Sequence, residues 1–348
     1  MPTVSAWGAA SAGAPIRPMT VERRELGPND VRIDITHSGI CHSDIHQVHE
    51  DWGRATFPMV PGHEIVGRIA EIGSDVQGFS IGETAGIGCF VDSCRECDAC
   101  LAGLENYCAR GGTVWTYNSS NPRTGETTYG GYSTSIVADA GYVLHVAETL
   151  DPAGAAPLLC AGITLWSPLR HWNAGPGTRV GIIGLGGLGH MGVKLASALG
   201  AHVTVFSHSE SKRADAMALG ADAFVNTREP DALRAHGFSL DLIINTVSAD
   251  IAVESYMQTL KQDGTLVIVG LPSAPVSVHV GVLTQRRRSL AGSSIGGIRE
   301  TQEMLDFCAD HNIVSDVEVI APDDIDEAYR RVVDSDVKYR FVIDIAGR

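Results

Sequence analysis

The run Val180-Gly181-Ile182-Ile183-Gly184-Leu185-Gly186-Gly187-Leu188-Gly189 restricts the fold more than any other stretch of the chain. A short β-branched strand meets a G-x-G-x-x-G turn, and an apolar helix-like stretch then runs to Leu199 and stops at Gly200. In that context Gly184 permits the tight turn, Gly186 lets the backbone approach a pyrophosphate, and Gly189 lets helix and strand pack closely. Gly187 and Leu188 complete the stretch, and the helix N-terminus offers amide donors and a positive dipole end to phosphates. The expectation is a dinucleotide-binding βαβ unit.

The alternation continues beyond it. Apolar runs at 203–206, 223–225, 241–245 and 265–269 read as further strands, with a helix ended by Gly220 and a crossover helix at 252–261. Right-handed crossovers between such strands give a doubly wound parallel sheet. A fold of this kind that reads NAD places Asp or Glu about twenty residues after the glycines, against the ribose 2′-hydroxyl. Here that place holds Phe206-Ser207-His208-Ser209, with Lys212 three residues further on. Ser207 and Ser209 spare a 2′-phosphate the repulsion of a carboxylate, and Lys212 adds a positive charge, so NADP is favoured over NAD.

The 348 residues are too many for one typical core and predict two domains. Upstream the texture is β-rich. Residues 31–36 alternate apolar and polar side chains, 65–72 are β-branched, and glycines at 67, 73, 78, 82, 86 and 88 punctuate short runs. At Asp151-Pro152 the texture changes to an Ala-rich stretch leading through Cys160 to Pro168, read as a linking helix. A helix near 300–310 and a strand at 340–345 read as a return to the first domain. The expected division is 1–161 with a return segment 294–348, and 162–293.

A formal charge of −15 argues against a nucleic-acid surface, and Arg286-Arg287-Arg288, the densest basic run, reads as a solvated loop or helix end. No run reaches the roughly eighteen apolar residues of a membrane helix, and Met1 to Met19 lack a secretory leader pattern. A cytoplasmic protein without membrane partners is expected.

Cys94, Cys97, Cys100 and Cys108 stand at C-x2-C-x2-C-x7-C spacing. Four thiolates fill a tetrahedral zinc and leave no open position, which makes the site structural. The ferredoxin continuation C-x3-C-P is absent, against an iron–sulfur cluster. A second concentration runs from Cys41-His42-Ser43-Asp44-Ile45-His46 to Pro61-Gly62-His63-Glu64. Cys41 and His63 suit zinc, and a catalytic zinc takes three protein ligands with one position open. The third candidates are Cys89, Cys160 and Cys308, of which Cys160 stands best by position, at the expected domain junction. A nicotinamide domain beside such ligands implies hydride transfer assisted by a Lewis acid.

These motifs, with Leu158-Leu159-Cys160-Ala161-Gly162-Ile163-Thr164 and Gly184 to His190, resemble the zinc-containing medium-chain alcohol dehydrogenases over nearly the whole length. The resemblance is closest to the cinnamyl alcohol dehydrogenase-like branch and its bacterial members. It implies an α/β protein with a β-rich GroES-like catalytic domain and a Rossmann domain, two zinc ions per chain, NADP(H), and a homodimer. It assigns Cys41, His63 and Cys160 to the catalytic zinc, a Cys₂His set known for this family. Glu64 lies close to the metal, and Asp44 orients a zinc ligand. The family's proton path maps onto Ser43, where the branch often has Thr, and His46. Trp52 and Trp115 fall at substrate-pocket positions; Thr164, Val269 and Ile295 fall around the nicotinamide, and Arg340 at the pyrophosphate. Gly82-Glu83-Thr84-Ala85-Gly86 departs from the family pattern, in a place that bears on local folding. His42 and His49 receive no role.

The implied activity is transfer of hydride between NADP(H) and a primary alcohol or aldehyde of aliphatic or aromatic body. The rivals are an NAD-linked polyol or secondary alcohol dehydrogenase, and a non-catalytic sensor that binds zinc and nucleotide.

Overall fold

The computed structural model describes residues 1–110, 112–272 and 274–347. The chain divides into two units, Met1–Ile163 with Gly296–Arg348, and Thr164–Ile295.

In the first unit the strand Asp30–Ile40 is the axis. Its alternate residues Val31, Ile33 and Ile35 are buried, so one face of the pleat is committed to the core and the register is fixed with it. It pairs antiparallel with Ile65–Ile72 along one edge. Along the other it meets Ser135–Asp139 near its start and Arg340–Asp344 near its end. The full order of this seven-stranded sheet is Val317–Ile320, Arg340–Asp344, Asp30–Ile40, Ile65–Ile72, Thr84–Ile87, Leu144–His145, with Ser135–Asp139 attached to the third. The C-terminal strand is thus a partner of the N-terminal axis, with Phe341 opposite Ile40. Strand Asp30–Ile40 ends directly at Cys41, which opens the helix His42–His49.

The Ala-rich stretch is not one helix. Asp151 caps Pro152–Ala155 by accepting the Gly154 N–H at 3.0 Å, a 3₁₀ turn covers Ala156–Leu159, and a new helix runs Ala161–His171. Pro157 cannot donate to an α-helical ladder, and Cys160 takes φ −130°, ψ −67°, so the chain breaks there. Pro168 lies inside the second helix rather than at its end.

The second unit is a six-stranded sheet, parallel throughout, in the order Ala223–Asn226, His202–Ser207, Arg179–Ile183, Leu240–Asn245, Leu260–Ile268, Ser289–Gly292. Numbered along this unit the order is 3-2-1-4-5-6, the doubly wound arrangement anticipated from the sequence. The order reverses between Arg179–Ile183 and Leu240–Asn245, and ligands of such sheets bind outside the carboxyl ends of strands at that point. One element differs from expectation. The helix read at 252–261 is only Val253–Met257, and a strand already begins at Leu260, paired with Leu240. Thr259 ends the helix by donating its hydroxyl to the Tyr256 carbonyl at 2.7 Å, and Asp263, at φ +63°, lies within the long strand that follows.

Among the described residues no helix is long and apolar enough to cross a membrane. The basic run is absorbed locally: Arg287 pairs with Asp263, Arg286 stacks over Phe238, and buried Arg288 donates to the Leu260 carbonyl.

Candidate metal centres and nucleotide loop

Cys41 ends a buried strand and stands just before the helix His42–His49, so backbone geometry aims its thiol inward. Three residues on, Asp44 folds back, and its Oδ2 accepts the Cys41 backbone N–H at 2.9 Å. The turn Pro61-Gly62-His63 brings the imidazole to the same carboxylate, with His63 Nδ1 3.2 Å from Asp44 Oδ1. Gly62 is required there: its φ is +101°, and a Cβ would sit 2.6 Å from the Tyr132 ring and 2.9 Å from the Gly131 nitrogen. With Nδ1 on Asp44, the imidazole also hydrogen-bonds Cys41, and a histidine whose Nδ1 is held by a carboxylate in this way suits a metal at Nε2.

Cys160, at the break between the two helical segments, places its Sγ 3.9 Å from Cys41 Sγ. Ligand atoms of Cys41, His63, Glu64 and Cys160 all lie within 4.8 Å of one another, and all four residues are buried. Two thiolates on one tetrahedral zinc, each about 2.3 Å from it, stand about 3.8 Å apart. The spacing and the donor chemistry therefore fit zinc. Of the other candidate thiols, Cys308 packs in the helix Ile298–Asp310 with Sγ 3.6 Å from Met304 Sδ, and burial pushes it up to about 12. Half-buried Cys89 donates to the Leu159 carbonyl at 3.6 Å and stays outside the group of four.

Electrostatics at this cluster are strongly coupled. Hydrogen bonding from Cys160 holds the Cys41 thiol well below its ordinary value, with Arg340 and His63 adding to the effect. The same contact drives Cys160 the other way. Glu64 is wholly buried, and burial pushes it up to about 7 against the pull of Arg340. The Arg340 guanidinium engages one Glu64 oxygen, Oε1, while Oε2 has no hydrogen-bond partner. Arg340 itself is 6% exposed, on the strand paired with Asp30–Ile40.

Ser43 and His46 lie one turn apart on the helix His42–His49. The Ser43 hydroxyl is 3.5 Å from Cys41 Sγ. His46 Nδ1 is 2.8 Å from Asp51 Oδ2, and its ring stands between His42 and Trp52 at 4.7 and 4.9 Å. Trp52 and Trp115 are 46% and 44% exposed, which takes both out of the core.

The second cluster is Cys94, Cys97, Cys100 and Cys108. Sγ of Cys100 lies 3.8 Å from that of Cys94 and 3.5 Å from that of Cys97, again near the tetrahedral separation. Backbone N–H groups of Cys97, Cys94 and Ala109 point at the sulfurs of Cys94, Cys108 and Cys97, at 3.3 to 3.4 Å. Such donors favour thiolate: backbone N–H groups of Ala109 and Cys100 draw Cys97 down to about 6. Arg95, inside the loop, pairs with Asp92 and Asp139, each at 2.9 Å, and fastens it to the sheet.

In the second unit, Gly184 turns at φ +90°, and a Cβ on Gly189 would lie 2.9 Å from the Gly184 carbonyl carbon and closer still to its oxygen. Around Gly186 there is open space, with nothing within 4 Å of a Cβ. Gly187 and Leu188 lead into the helix Gly189–Ala198. Lys212 reaches back to donate to the Leu185 carbonyl at 2.9 Å, and burial lowers its pKa. Ser207, 6% exposed at the end of its strand, accepts the Ser209 N–H at 3.2 Å. Lys212 is thereby tied to the glycine loop, and Ser207 and Ser209 to each other. Thr164 is buried in the helix Ala161–His171; Val269 follows its strand with its N–H on the Asn245 carbonyl at 3.1 Å; Ile295 has φ +44°.

Sequence reasoning missed the tyrosines around Asp44. Tyr132 donates to Asp44 Oδ2 at 3.0 Å across 88 positions, and no local pattern announces a pairing of that range. The Glu64–Arg340 pair spans 276 positions and was equally invisible as a pair.

A profile described as zinc-binding dehydrogenase matches residues 187–310, and one described as alcohol dehydrogenase GroES-like domain matches residues 27–148. The chain is 56% identical to NADP-dependent alcohol dehydrogenase C 1 of Mycolicibacterium smegmatis over 347 residues, covering 100% of this chain and 99% of that protein. It is 54% identical to the aldehyde reductase YahK of Escherichia coli, covering 98% of each. Among solved structures, a cinnamyl alcohol dehydrogenase of Sorghum bicolor superposes with a TM-score of 0.96 at 42% identity, covering 99% of this chain and 98% of that one.

Proposed function

The chain belongs to the zinc-containing alcohol dehydrogenases with a GroES-like domain, and from that premise we propose how its own residues divide the work. It is an oxidoreductase, an NADP-dependent alcohol dehydrogenase and aldehyde reductase with zinc. The observation that carries the assignment of roles is the buried group of Cys41, His63 and Cys160, with thiols 3.9 Å apart and the imidazole held by Asp44 through Nδ1.

Cys41, His63 and Cys160 hold the catalytic zinc, and Cys94, Cys97, Cys100 and Cys108 hold the structural one. When bound, zinc supplies a Lewis acid and NADP(H) supplies or accepts the hydride. Asp44 keeps the His63 tautomer. Glu64 stands beside the ligands with one oxygen uncommitted, close enough to approach the metal during ligand exchange. Ser43 donates or accepts the proton at the substrate oxygen, and His46, oriented by Asp51, exchanges it with solvent; their separation by one helical turn supports a short relay.

Gly184, Gly186, Gly187, Leu188 and Gly189 take the pyrophosphate, and Ser207, Ser209 and Lys212 the 2′-phosphate. Thr164, Val269 and Ile295 surround the nicotinamide. Arg340 is assigned to the pyrophosphate by the family resemblance. Trp52 and Trp115 give the pocket aromatic walls, which favours primary alcohols and aldehydes with an apolar or aromatic body. Strand Ser289–Gly292 is an open sheet edge, with Leu271 and Val280 exposed at 63% and 65%, and supports a homodimer. Eight cysteines without a disulfide suit the cytoplasm.

Zinc analysis of wild type and Cys160→Ala tests the assignment. Wild type carries two zinc ions per chain and reduces aldehydes with NADPH; the variant carries one and is inactive. Loss of both metals, or retained activity, refutes the ligand set.

A further inference from the structure

The carboxylate of Asp44 is fully buried and receives hydrogen bonds from several directions. Oδ1 meets His63 Nδ1 at 3.2 Å and the Gly62 N–H at 3.3 Å; Oδ2 meets the Cys41 N–H at 2.9 Å and the Tyr132 hydroxyl at 3.0 Å. Two of these donors are backbone groups of the segments that carry the metal ligands. Tyr132 belongs to neither segment. It comes from the turn Gly130-Gly131-Tyr132-Ser133, and its ring is 0% exposed, seated where Gly62 has no Cβ.

Its hydroxyl in turn accepts from Tyr329 at 3.4 Å, and Tyr329 lies on the helix Ile325–Val333 near the C-terminus. The donors run in one direction, from Tyr329 to Tyr132 to Asp44, with His63 donating from the other side. Each phenol has one proton to give, so with its own proton on Asp44 the Tyr132 oxygen can only accept, and Tyr329 is the donor that fills that place. The ring of Tyr117 stacks on His63 at 5.8 Å and 24°, and its side chain is a further hydrogen-bond partner of Asp44.

We propose that Tyr132, backed by Tyr329, is a positioning residue for the catalytic zinc: its hydroxyl fixes the Asp44 carboxylate in the rotation that turns His63 Nε2 toward the metal. The inference rests on the reading that Cys41, His63 and Cys160 hold zinc. Tyr132 touches neither substrate nor cofactor in this scheme. It acts through Asp44 and His63, as partners of metal-bound histidines do in setting ring orientation and affinity.

The test uses holoenzyme variants Tyr132→Phe and Tyr329→Phe, which keep the ring and remove only the hydroxyl. Zinc transfer to a chromophoric chelator is followed in time, and the visible spectrum is recorded after cobalt replaces zinc at the catalytic site. Tyr132→Phe releases one of its two zinc ions several-fold faster than wild type, about 10-fold at most, since loss of a direct partner of a ligand costs about 10- to 100-fold in affinity and Tyr132 stands one bond further out. The cobalt bands of that site shift, and the other zinc leaves at the wild-type rate. Tyr329→Phe shows the same change in smaller measure, and the double variant is no worse than Tyr132→Phe alone, because Tyr329 acts through Tyr132.

Wild-type release rates and spectra in Tyr132→Phe overturn the proposal. So does equal acceleration of both zinc ions with a lowered melting temperature, which marks a merely structural role, and so do additive effects in the double variant. If Tyr132→Phe fails to fold, Tyr329→Phe decides alone between the same outcomes. A wild-type protein with a single zinc, or Cys160→Ala with two, sinks the underlying reading instead and is told apart by metal content.

Discussion

Three alanine substitutions in one turn separate the jobs of its glycines. At Gly189 a Cβ would stand 2.9 Å from the Gly184 carbonyl carbon, against an ordinary carbon contact of about 3.5 to 4.0 Å. The obstacle is backbone and cannot rotate away, so Gly189→Ala must push the helix Gly189–Ala198 off its strand by roughly half an ångström or more, at an overpacking cost of about 1 to 3 kcal/mol. Gly184→Ala meets two penalties, a φ of +90° and a Cβ 2.6 Å from Val247 Cγ2. Its backbone strain alone costs about 1 to 3 kcal/mol. Gly186→Ala meets nothing within 4 Å, so its stability stays within about 0.5 kcal/mol of wild type. The new methyl occupies the space through which a pyrophosphate approaches the backbone. NADPH affinity in Gly186→Ala falls at least about 10-fold, equivalent to about 1.4 kcal/mol. Urea unfolding gives the stabilities and NADPH fluorescence titration the affinities. A Gly186→Ala protein that binds NADPH as wild type does refutes the placement of the nucleotide on this loop. A Gly189→Ala protein of unchanged stability refutes the close helix–strand contact.

Ser207→Asp puts a carboxylate where the 2′-phosphate is assigned; at about 4 Å each pair of unit charges repels by about 1 kcal/mol in water and about 4 at an effective dielectric of 20. The kcat/KM with NADPH drops about 10-fold or more while that with NADH does not, and parallel losses with both cofactors would count against the assignment. Arg340→Leu leaves Glu64, 0% exposed, as a buried acid without its cation, and costs about 3 to 5 kcal/mol in urea unfolding. Adding Glu64→Gln recovers part of that loss, and no recovery would mean that the pair is not what Arg340 contributes. Cys100→Ser removes one zinc, the structural one, and opens the loop around Cys94 to Cys108 to limited proteolysis; retention of two zinc ions contradicts the four-thiolate site.

The parallel sheet was legible because its strands are buried on both faces and read as apolar runs, and because glycines end its helices at 200 and 220. Where an apolar run carried no such stop, the reading overran. Residues 252–261 have no glycine or proline at the point where Thr259 ends the helix with its own hydroxyl, so helix and strand merged into one expected element. The stretch through Cys160 failed for a related reason, since its Ala content masked the break that Pro157 and the Cys160 backbone impose. The four-cysteine cluster is written within fifteen consecutive positions, and spacing alone suffices to group it. The other cluster is spread over 119 positions between its two thiols. From residues alone Cys89, Cys160 and Cys308 stood open as its completion, and only likeness to a family singled out Cys160. Tyr132, Tyr329 and the partner of Glu64 carry no local signature, because each meets the site through strand pairing or helix packing far along the chain.

That difference in sequence range implies a difference in how the two metal sites come into being. Cys94, Cys97 and Cys100 lie within seven consecutive positions and converge locally, so the metal itself can organise the loop. Cys41, His63 and Cys160 have no such local route, and their convergence follows from the sheet. Cys41 continues the strand Asp30–Ile40, and His63 and Glu64 lead directly into its neighbour Ile65–Ile72. Arg340 precedes Phe341, whose partner is Ile40. Because side chains alternate faces along a strand, a one-residue slip of the C-terminal strand would carry Arg340 to the opposite face and leave Glu64 buried without its cation. The register of Arg340–Asp344 is therefore a condition for the charge balance of the site. The C-terminal helix that supplies Tyr329 immediately precedes that strand, so the last segment of the chain sets both the counter-ion of Glu64 and the hydrogen bond behind Asp44.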